Sequence, residues 1–214
     1  MKIFLAIDTS ESYCSVALQA NSKKYHLQKH APREHTQIIW PLINNLISQA
    51  NITPQQITHV ICTNGPGSFT GIRVASSIAQ GIAVANNCLV IPVSTLECLA
   101  DAGLMIYPNS YIWALMDAKM QGVYSAIYSL ENNTKKVIQH AAALRYEELR
   151  SIKPERFYAV GSGWEIEQTK TLLTNNLINT KPVNPLNLLN IGISRFDTAI
   201  NAVDFKLKYL RGIN

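Results

Sequence analysis

No CxxC pair occurs in this chain, and its four cysteines, Cys14, Cys62, Cys88 and Cys98, lie in or near apolar runs. That spacing excludes a zinc ribbon or a dithiol redox motif and reads as buried, reduced thiols of a cytosolic protein. The histidines offer no metal pattern either. His26 and His30 are four apart, but HLQKH falls at the end of an expected strand and lacks a glutamate base, so the spacing reads as chance. His35 has no second histidine at helical spacing, and His59 and His140 stand alone, which argues against zinc. Charge is scarce: 15% of residues are charged, with a net +5. The cations are scattered as Lys23 and Lys24, Lys135 and Lys136, then Lys206, Lys208 and Arg211, with no arginine-rich stripe interleaved with aromatics. The pattern is compatible with weak nucleic-acid affinity, but it does not show a dedicated binding surface. No apolar run approaches a membrane span, and the run in MKIFLAID is too short for a signal peptide and is interrupted by Asp8. Without low-complexity segments, disorder is expected only at the C-terminal end.

What the chain does have is core. Its 214 residues are 47% hydrophobic, enough for one large domain or two small ones. The organising stretch is His59 to Asn87. His59 to Thr63 reads as a buried strand, Asn64 to Gly71 as a glycine- and proline-rich turn, and Thr70 to Asn86 as a helix. Gly71, Ala75, Ala79 and Ala83 recur at a spacing of four, and Ser77, Gly81 and Ala85 form a second small-residue stripe beside them. Ile72, Ile78 and Ile82 supply the grip. Two readings are open: a central helix buried against its own sheet, or one that also meets another polypeptide. Arg73 in the first turn is opposed by the helix dipole by roughly 0.3–1 kcal/mol, so an acid is expected near it. Glu34, Glu97 or a carboxylate of another chain would serve. At least one of Ala75, Ala79 and Ala83 is expected to face a partner.

Upstream, Lys2 to Ile7, Ser12 to Gln19 and Lys24 to Gln28 read as an antiparallel meander, with Asp8-Thr9-Ser10 closing the first strand. Asp8 there either holds a metal–phosphate or ties down the turn. Arg33 to Asn51 carries a wide apolar stripe from Ile38 to Ala50, with Trp40 projecting away from it and Pro41 expected to kink the helix or remove one backbone bond. Thr53-Pro54 starts a short helix. Leu89 to Val93 is a further strand, and Ser94-Thr95 caps a helix to about Ala102, ended by Gly103. After Tyr107 to Asn109 the pattern restarts: Tyr111 to Met116 ending in Asp117, Gly122 to Ser129, a turn at Asn132-Asn133, and Lys136 to His140. Phe157 to Val160 leads to Gly161-Ser162-Gly163, with helices near Glu165 to Asn176 and Leu186 to Ala199. This is an internal duplication of a mixed α/β unit, divided at residues 1–107 and 108–214.

A duplicated lobe with an aspartate closing its first strand is the plan of the actin/sugar-kinase/heat-shock-chaperone ATPase-like (ASKHA) fold, α/β with two ribonuclease-H-like lobes. More specifically, the chain resembles the TsaB (YeaZ) family through LAIDTS (Leu5 to Ser10), PREHTQ (Pro32 to Gln37), GPGSFTGIR (Gly65 to Arg73), VSTLE (Val93 to Glu97), DAKMQGVY (Asp117 to Tyr124) and GSGW (Gly161 to Trp164). The resemblance implies a cytoplasmic, non-catalytic scaffold in the making of threonylcarbamoyladenosine in tRNA. It implies a TsaD-like catalytic partner and a TsaE-like ATPase, tRNA met only through the complex, no membrane, and a homodimer when alone. Partner contacts are expected from the helices Thr36 to Ala50 and Thr70 to Asn86, at Arg33, His35, Ile39, Trp40, Ile43, Arg73, Ala75, Ser76, Ala79 and Ala83. Asp8, Thr9, Ser10, Asp117, Gly161 and Gly163 are expected as a vestigial nucleotide site. Asp117 is followed by Ala-Lys-Met, not by glycines that would let backbone amides reach a phosphate, so neither cofactor nor metal is expected. The basic C-terminal tail of relatives is short or absent after Arg211. An ATP-dependent small-molecule kinase and a metallopeptidase are the alternatives.

Overall fold

The structure, a computed structural model, describes residues 2–119, 122–132, 134–173, 177–179 and 182–210. In chain order the strands and helices of the first half are Phe4–Asp8 (β1), Tyr13–Ala20 (β2), Lys23–His30 (β3), His35–Gln49 (α1), His59–Thr63 (β4), Phe69–Ala85 (α2), Leu89–Val93 (β5) and Thr95–Ile106 (α3). Then come Tyr111–Asp117 (β6), Gly122–Glu131 (β7), Thr134–Arg145 (β8), Leu149–Ile152 (α4), Phe157–Val160 (β9), Glu167–Lys170 (α5), Leu177–Asn179 (β10) and Pro185–Ser194 (α6). The expected turn residue Asn133, residues 174–176 of the expected helix and Arg211 lie outside the described residues.

Two sheets carry the chain, and they repeat one plan. The first runs β3-β2-β1-β4-β5, and the second runs β8-β7-β6-β9-β10. In each, three antiparallel strands are followed by two parallel ones. The β2–β3 hairpin turns on Asn21 and Ser22, both at positive φ, the two-residue connection that a right-handed sheet twist favours. β1 is buried at every position, as a central strand covered on both faces should be.

The alternation of β1 and β2 sorts their side chains onto two faces. Leu5, Ile7, Val16, Leu18, Val60 and Cys62 meet Ile39, Ile43 and Leu46 of α1 and Ala75, Ala79 and Ala83 of α2 in one core. α6 lies near enough to the sheet that a Cβ on Gly192 would come within 2.4 Å of Ile61. In the other sheet, Trp113, Phe157 and Trp164 pack edge-on and stacked, and Trp113 Nε1 donates to Ser125 Oγ at 2.8 Å.

Several expectations are corrected. Pro41 is not among them: α1 is one helix through it, and the proline, on the exposed side, removes one backbone donor as expected. α3 continues past Gly103, which is small because a Cβ there would meet Ile112 at 2.9 Å. The helix expected near Glu165 is a short turn and one helical turn, and the strand β10 was not anticipated. The compact units are Met1–Thr95 with Val183–Lys208, and Leu96–Pro182 with Tyr209–Asn214, instead of a cut at residue 107. Lys135 draws α3 into the second unit by meeting Glu97 at 3.1 Å and Asp101 at 2.8 Å.

The first small stripe is interior: Ala75, Ala79 and Ala83 are buried against β4, β1, β5 and α1, so none of them lies on the surface where a partner contact was expected. The second stripe, Ser77, Gly81 and Ala85, is the exposed one, and nothing lies within 4 Å of a Cβ placed on Gly81. Two substitutions separate these faces. Ala79→Leu overpacks the core and lowers stability by about 1–3 kcal/mol, whereas Gly81→Ala raises it by roughly 0.4–1 kcal/mol through the unfolded chain. Thermal and urea melts of both variants check the pair; equal effects would mean that the two faces are not distinct.

Candidate functional site: an exposed helical face and a sealed aspartate loop

α1 and α2 lie side by side on one face of the first sheet, and large apolar side chains stand on their outer surfaces among polar ones. Trp40 is 45% exposed, Phe69 61% and Val84 68%. Thr36, Trp40, Phe69, Thr70, Arg73, Val74, Ser77 and Ile78 line an open groove of about 410 Å³ between the two helices. Neither helix carries an acid. Ser68 caps α2, its hydroxyl accepting from the Gly71 N–H at 3.4 Å. One turn on, the Arg73 guanidinium lies over the Phe69 ring at 3.6 Å. That cation–π contact offsets part of the dipole cost that the sequence assigned to an acid, while Glu97 engages Lys135.

The structure divides the expected partner-contact residues. Arg33, Trp40 and Arg73 are on the surface. Ile39 and Ile43 are core, like the three alanines. His35 is turned inward, its Nε2 bonded to the Glu11 carbonyl at 2.7 Å. Ser76 is buried and donates to Gln80, which in turn reaches the Ala202 carbonyl. Phe69, Val74, Ile78 and Val84 take their places on the exposed face. The signal for them was the second stripe, set beside the first at the same spacing and indistinguishable from it without knowing where the sheet lies.

The loop after β1 is closed by α2. Thr9 Oγ1 donates to the Gly71 carbonyl at 2.7 Å, the Ser68 N–H donates to the Ser10 carbonyl at 2.7 Å, and a Cβ on Gly71 would fall 2.0 Å from the Thr9 carbonyl oxygen. Asp8 is buried, and Thr63 Oγ1 and the Ser10 N–H donate to its Oδ1 at 2.6 and 3.2 Å. Burial pushes its carboxyl above the ordinary range, against the pull of those donors and of His35. Burial, aided by Asp8, pushes the Cys14 thiol up to about 11 and holds Cys62 well above the ordinary thiol range, so these thiols stay protonated. Asn64 Oδ1 and Thr95 Oγ1 are buried at this end of the sheet without a hydrogen-bond partner. With Asp8 they are the groups of the first unit that a small polar ligand would meet.

The loop after β6 binds itself. Lys119 is at positive φ, its N–H donates to Asp117 Oδ1 at 2.8 Å, and its ammonium pairs with the same carboxylate. Met120 and Gln121 lie outside the described residues. Gly161 and Gly163 have a packing reason: Cβ atoms there would meet the Leu115 carbonyl oxygen at 2.2 Å and the Leu115 side chain at 2.7 Å. Among the described residues no group of three His, Cys, Asp or Glu stands together as metal ligands would, and no helix is long and apolar enough to cross a membrane.

Comparison with known proteins places this arrangement. The family model for TsaD, tRNA N6-adenosine threonylcarbamoyltransferase, matches residues 19–183. The tRNA threonylcarbamoyladenosine biosynthesis protein TsaB of Buchnera aphidicola subsp. Schizaphis graminum is 33% identical over 81% of this chain and 89% of its own. TsaB of Escherichia coli is 33% identical over 75% and 71%, and that of Haemophilus influenzae 31% over 75% and 72%. Among solved structures, YeaZ from Pseudomonas aeruginosa superposes with a TM-score of 0.85 at 26% identity, covering 98% of this chain and all of that one. A second Pseudomonas aeruginosa structure, described as similar to peptidase YEAZ, gives 0.88 at 26% identity, with 99% and 100% covered. The repeated sheet order, the sealed aspartate loop and these likenesses make this a two-lobed ASKHA-fold chain that belongs to the TsaB (YeaZ) family.

Proposed function

We propose that this chain is a non-catalytic subunit of the cytoplasmic assembly that makes threonylcarbamoyladenosine in tRNA. It docks a TsaD-like catalytic subunit on the α1–α2 face, with a TsaE-like ATPase joining the assembly. The observation that carries the reading is the exposed apolar groove with the bare backbone of Gly81 beside it. A helix face without side-chain bulk admits a second helix at close range, and large exposed apolar groups around it mark a site of association. A partner of the same fold presents an equivalent helix pair, so the two pairs close into a four-helix packing. The match of this chain to a model named for the transferase supports that kinship. In the absence of the partner, the same face pairs two copies about a two-fold axis.

The non-catalytic part rests on the loops. Asp117 is engaged by its own Lys119, and Asp8, Thr9 and Ser10 are tied to Thr63, Ser68 and Gly71. Asp8 is thereby a cost to folding at neutral pH. Its folded pKa lies above the ordinary 3.8, so the unfolded chain releases this proton first as pH rises. Stability falls through the window between those two pKa values and stays lower above it. Asparagine can accept the same two hydrogen bonds without that penalty. Asp8→Asn therefore melts higher than wild type at pH 7, and the gap closes as pH drops below about 4. A pH series of thermal melts checks this; a variant less stable at every pH would show that the hydrogen bonds of the carboxylate outweigh the cost of burying it.

Docking is tested with Gly81→Leu. Open space around Gly81 leaves the isolated fold intact, while the added bulk separates the helices. At about 1–3 kcal/mol of overpacking, the complex with the TsaD-like subunit weakens roughly 5- to 150-fold, and the chain alone becomes monomeric. Complex mass by light scattering, beside a melting curve, decides it. Undiminished association of a well-folded Gly81→Leu protein would overturn the reading.

A further inference from the structure

We propose that β3, the outer strand of the first sheet, is a contact surface for the phosphate backbone of RNA. It rests on the reading above only in expecting that RNA to be tRNA. β3 carries Lys23, Lys24, His26, Lys29 and His30, all exposed, and no acid. From Lys23 to Lys29 the strand spans about 20 Å, long enough to follow several phosphates. Lys23 and Lys29 share a face with Tyr25 and Leu27, which pack toward α1; Lys24, His26 and His30 take the α6 side. The elements that flank it add no negative charge: β2, α1 and α6 contain neither Asp nor Glu. Between Ser12 and Leu96 the one acid is Glu34, which with Glu11 lies at the His30 end of the strand, away from Lys23 and Lys24. The first unit holds nine Lys or Arg against five Asp or Glu, a net +4, and the second ten against nine, a net +1.

Lysines on an outer strand also guard a sheet against pairing edge to edge. The second sheet shows what that role alone requires. Its corresponding edge strand, β8, carries Lys135 and Lys136, and both are neutralised: Lys135 by Glu97 and Asp101, Lys136 by Glu131 at 3.7 Å. Among the described residues Lys23, Lys24 and Lys29 have no carboxylate partner, and Lys24 instead takes the Asn190 side-chain oxygen at 2.6 Å. The β3 edge thus combines unneutralised ammonium groups, outward backbone N–H donors and the side-chain amide of Asn190. This is the donor set that phosphate oxygens take without regard to sequence. An acidic protein would need carboxylates spaced to match, whereas a nucleic-acid backbone supplies a continuous row of negative charge.

The test is the salt dependence of binding. A labelled tRNA transcript is titrated with the full chain, alone and in complex with the TsaD-like subunit, from about 50 to 300 mM salt. The variant is Lys23→Gln/Lys24→Gln/Lys29→Gln, and the charge-matched control is Lys136→Gln/Lys153→Gln/Lys170→Gln on the second unit. Three lost phosphate contacts reduce the slope of log K against log salt by about 2–3, while the control slope and the complex mass of both variants stay unchanged. The proposal is overturned by any of four results: an unchanged slope in the β3 variant, an equal loss in the control, no tRNA binding by wild type in either form, or loss of binding to phosphatidylserine vesicles with tRNA binding retained. Failure of the complex to form would count against the docking reading alone, since the slope is also read on the chain by itself.

Discussion

The close seating of α2 on its own sheet is the constraint from which most of the first unit follows. At its start Gly71 lies so near the β1–β2 turn that even one methyl group would collide with the Thr9 carbonyl. Ala75, Ala79 and Ala83 continue that small face along the sheet. The helix can approach this closely only because the stripe has no bulk, and the approach does two things. It seals the aspartate loop with hydrogen bonds from Thr9 to Gly71 and from Ser68 to Ser10. It also fixes the rotation of the helix, so that Phe69, Val74, Ile78, Gly81 and Val84 are turned outward beside Trp40.

The second unit repeats the strand order and solves its loop problem differently. Where the first sheet closes its aspartate under a helix, β6 ends in an aspartate neutralised by a lysine two residues on. The glycines after β9 serve the approach of that turn to Leu115, and Trp164, seated there, donates to the Trp113 carbonyl at 3.1 Å. Duplicated folds keep topology, which is enforced by core packing, while the loops between the strands are free to diverge. The charge is divided unequally as well. The second unit pairs its edge lysines with acids, and the first leaves its edge cationic.

Legibility in the sequence followed the range of the interactions involved. β4, β5 and β9 are apolar runs bounded by turn residues, and their limits were readable because a strand covered on both faces leaves a local record. The meander, the repeat of an aspartate after the first strand of each half and the family resemblance were readable for the same reason. The end of α3 was not. Gly103 looks like a helix stop until Ile112, from a strand that follows, is seen against it. Nor was the interior position of His35, whose bond to the Glu11 carbonyl joins residues 24 apart.

By itself, then, the sequence determined the fold class, the family, the two helices that matter and the two small-residue stripes on the second of them. Which stripe is covered was decided by tertiary structure. Spacing of four defines a face but not its direction, and direction is set by where the sheet stands relative to the helix. The same holds for charge. The sequence contains Lys23, Lys24 and Lys29; only the fold puts them on an outer strand flanked by two helices without acids, while it brings Glu97 and Asp101 to Lys135 across more than thirty residues. Whether a cation is neutralised depends on partners distant in the chain, and that information exists only once the sheets have formed.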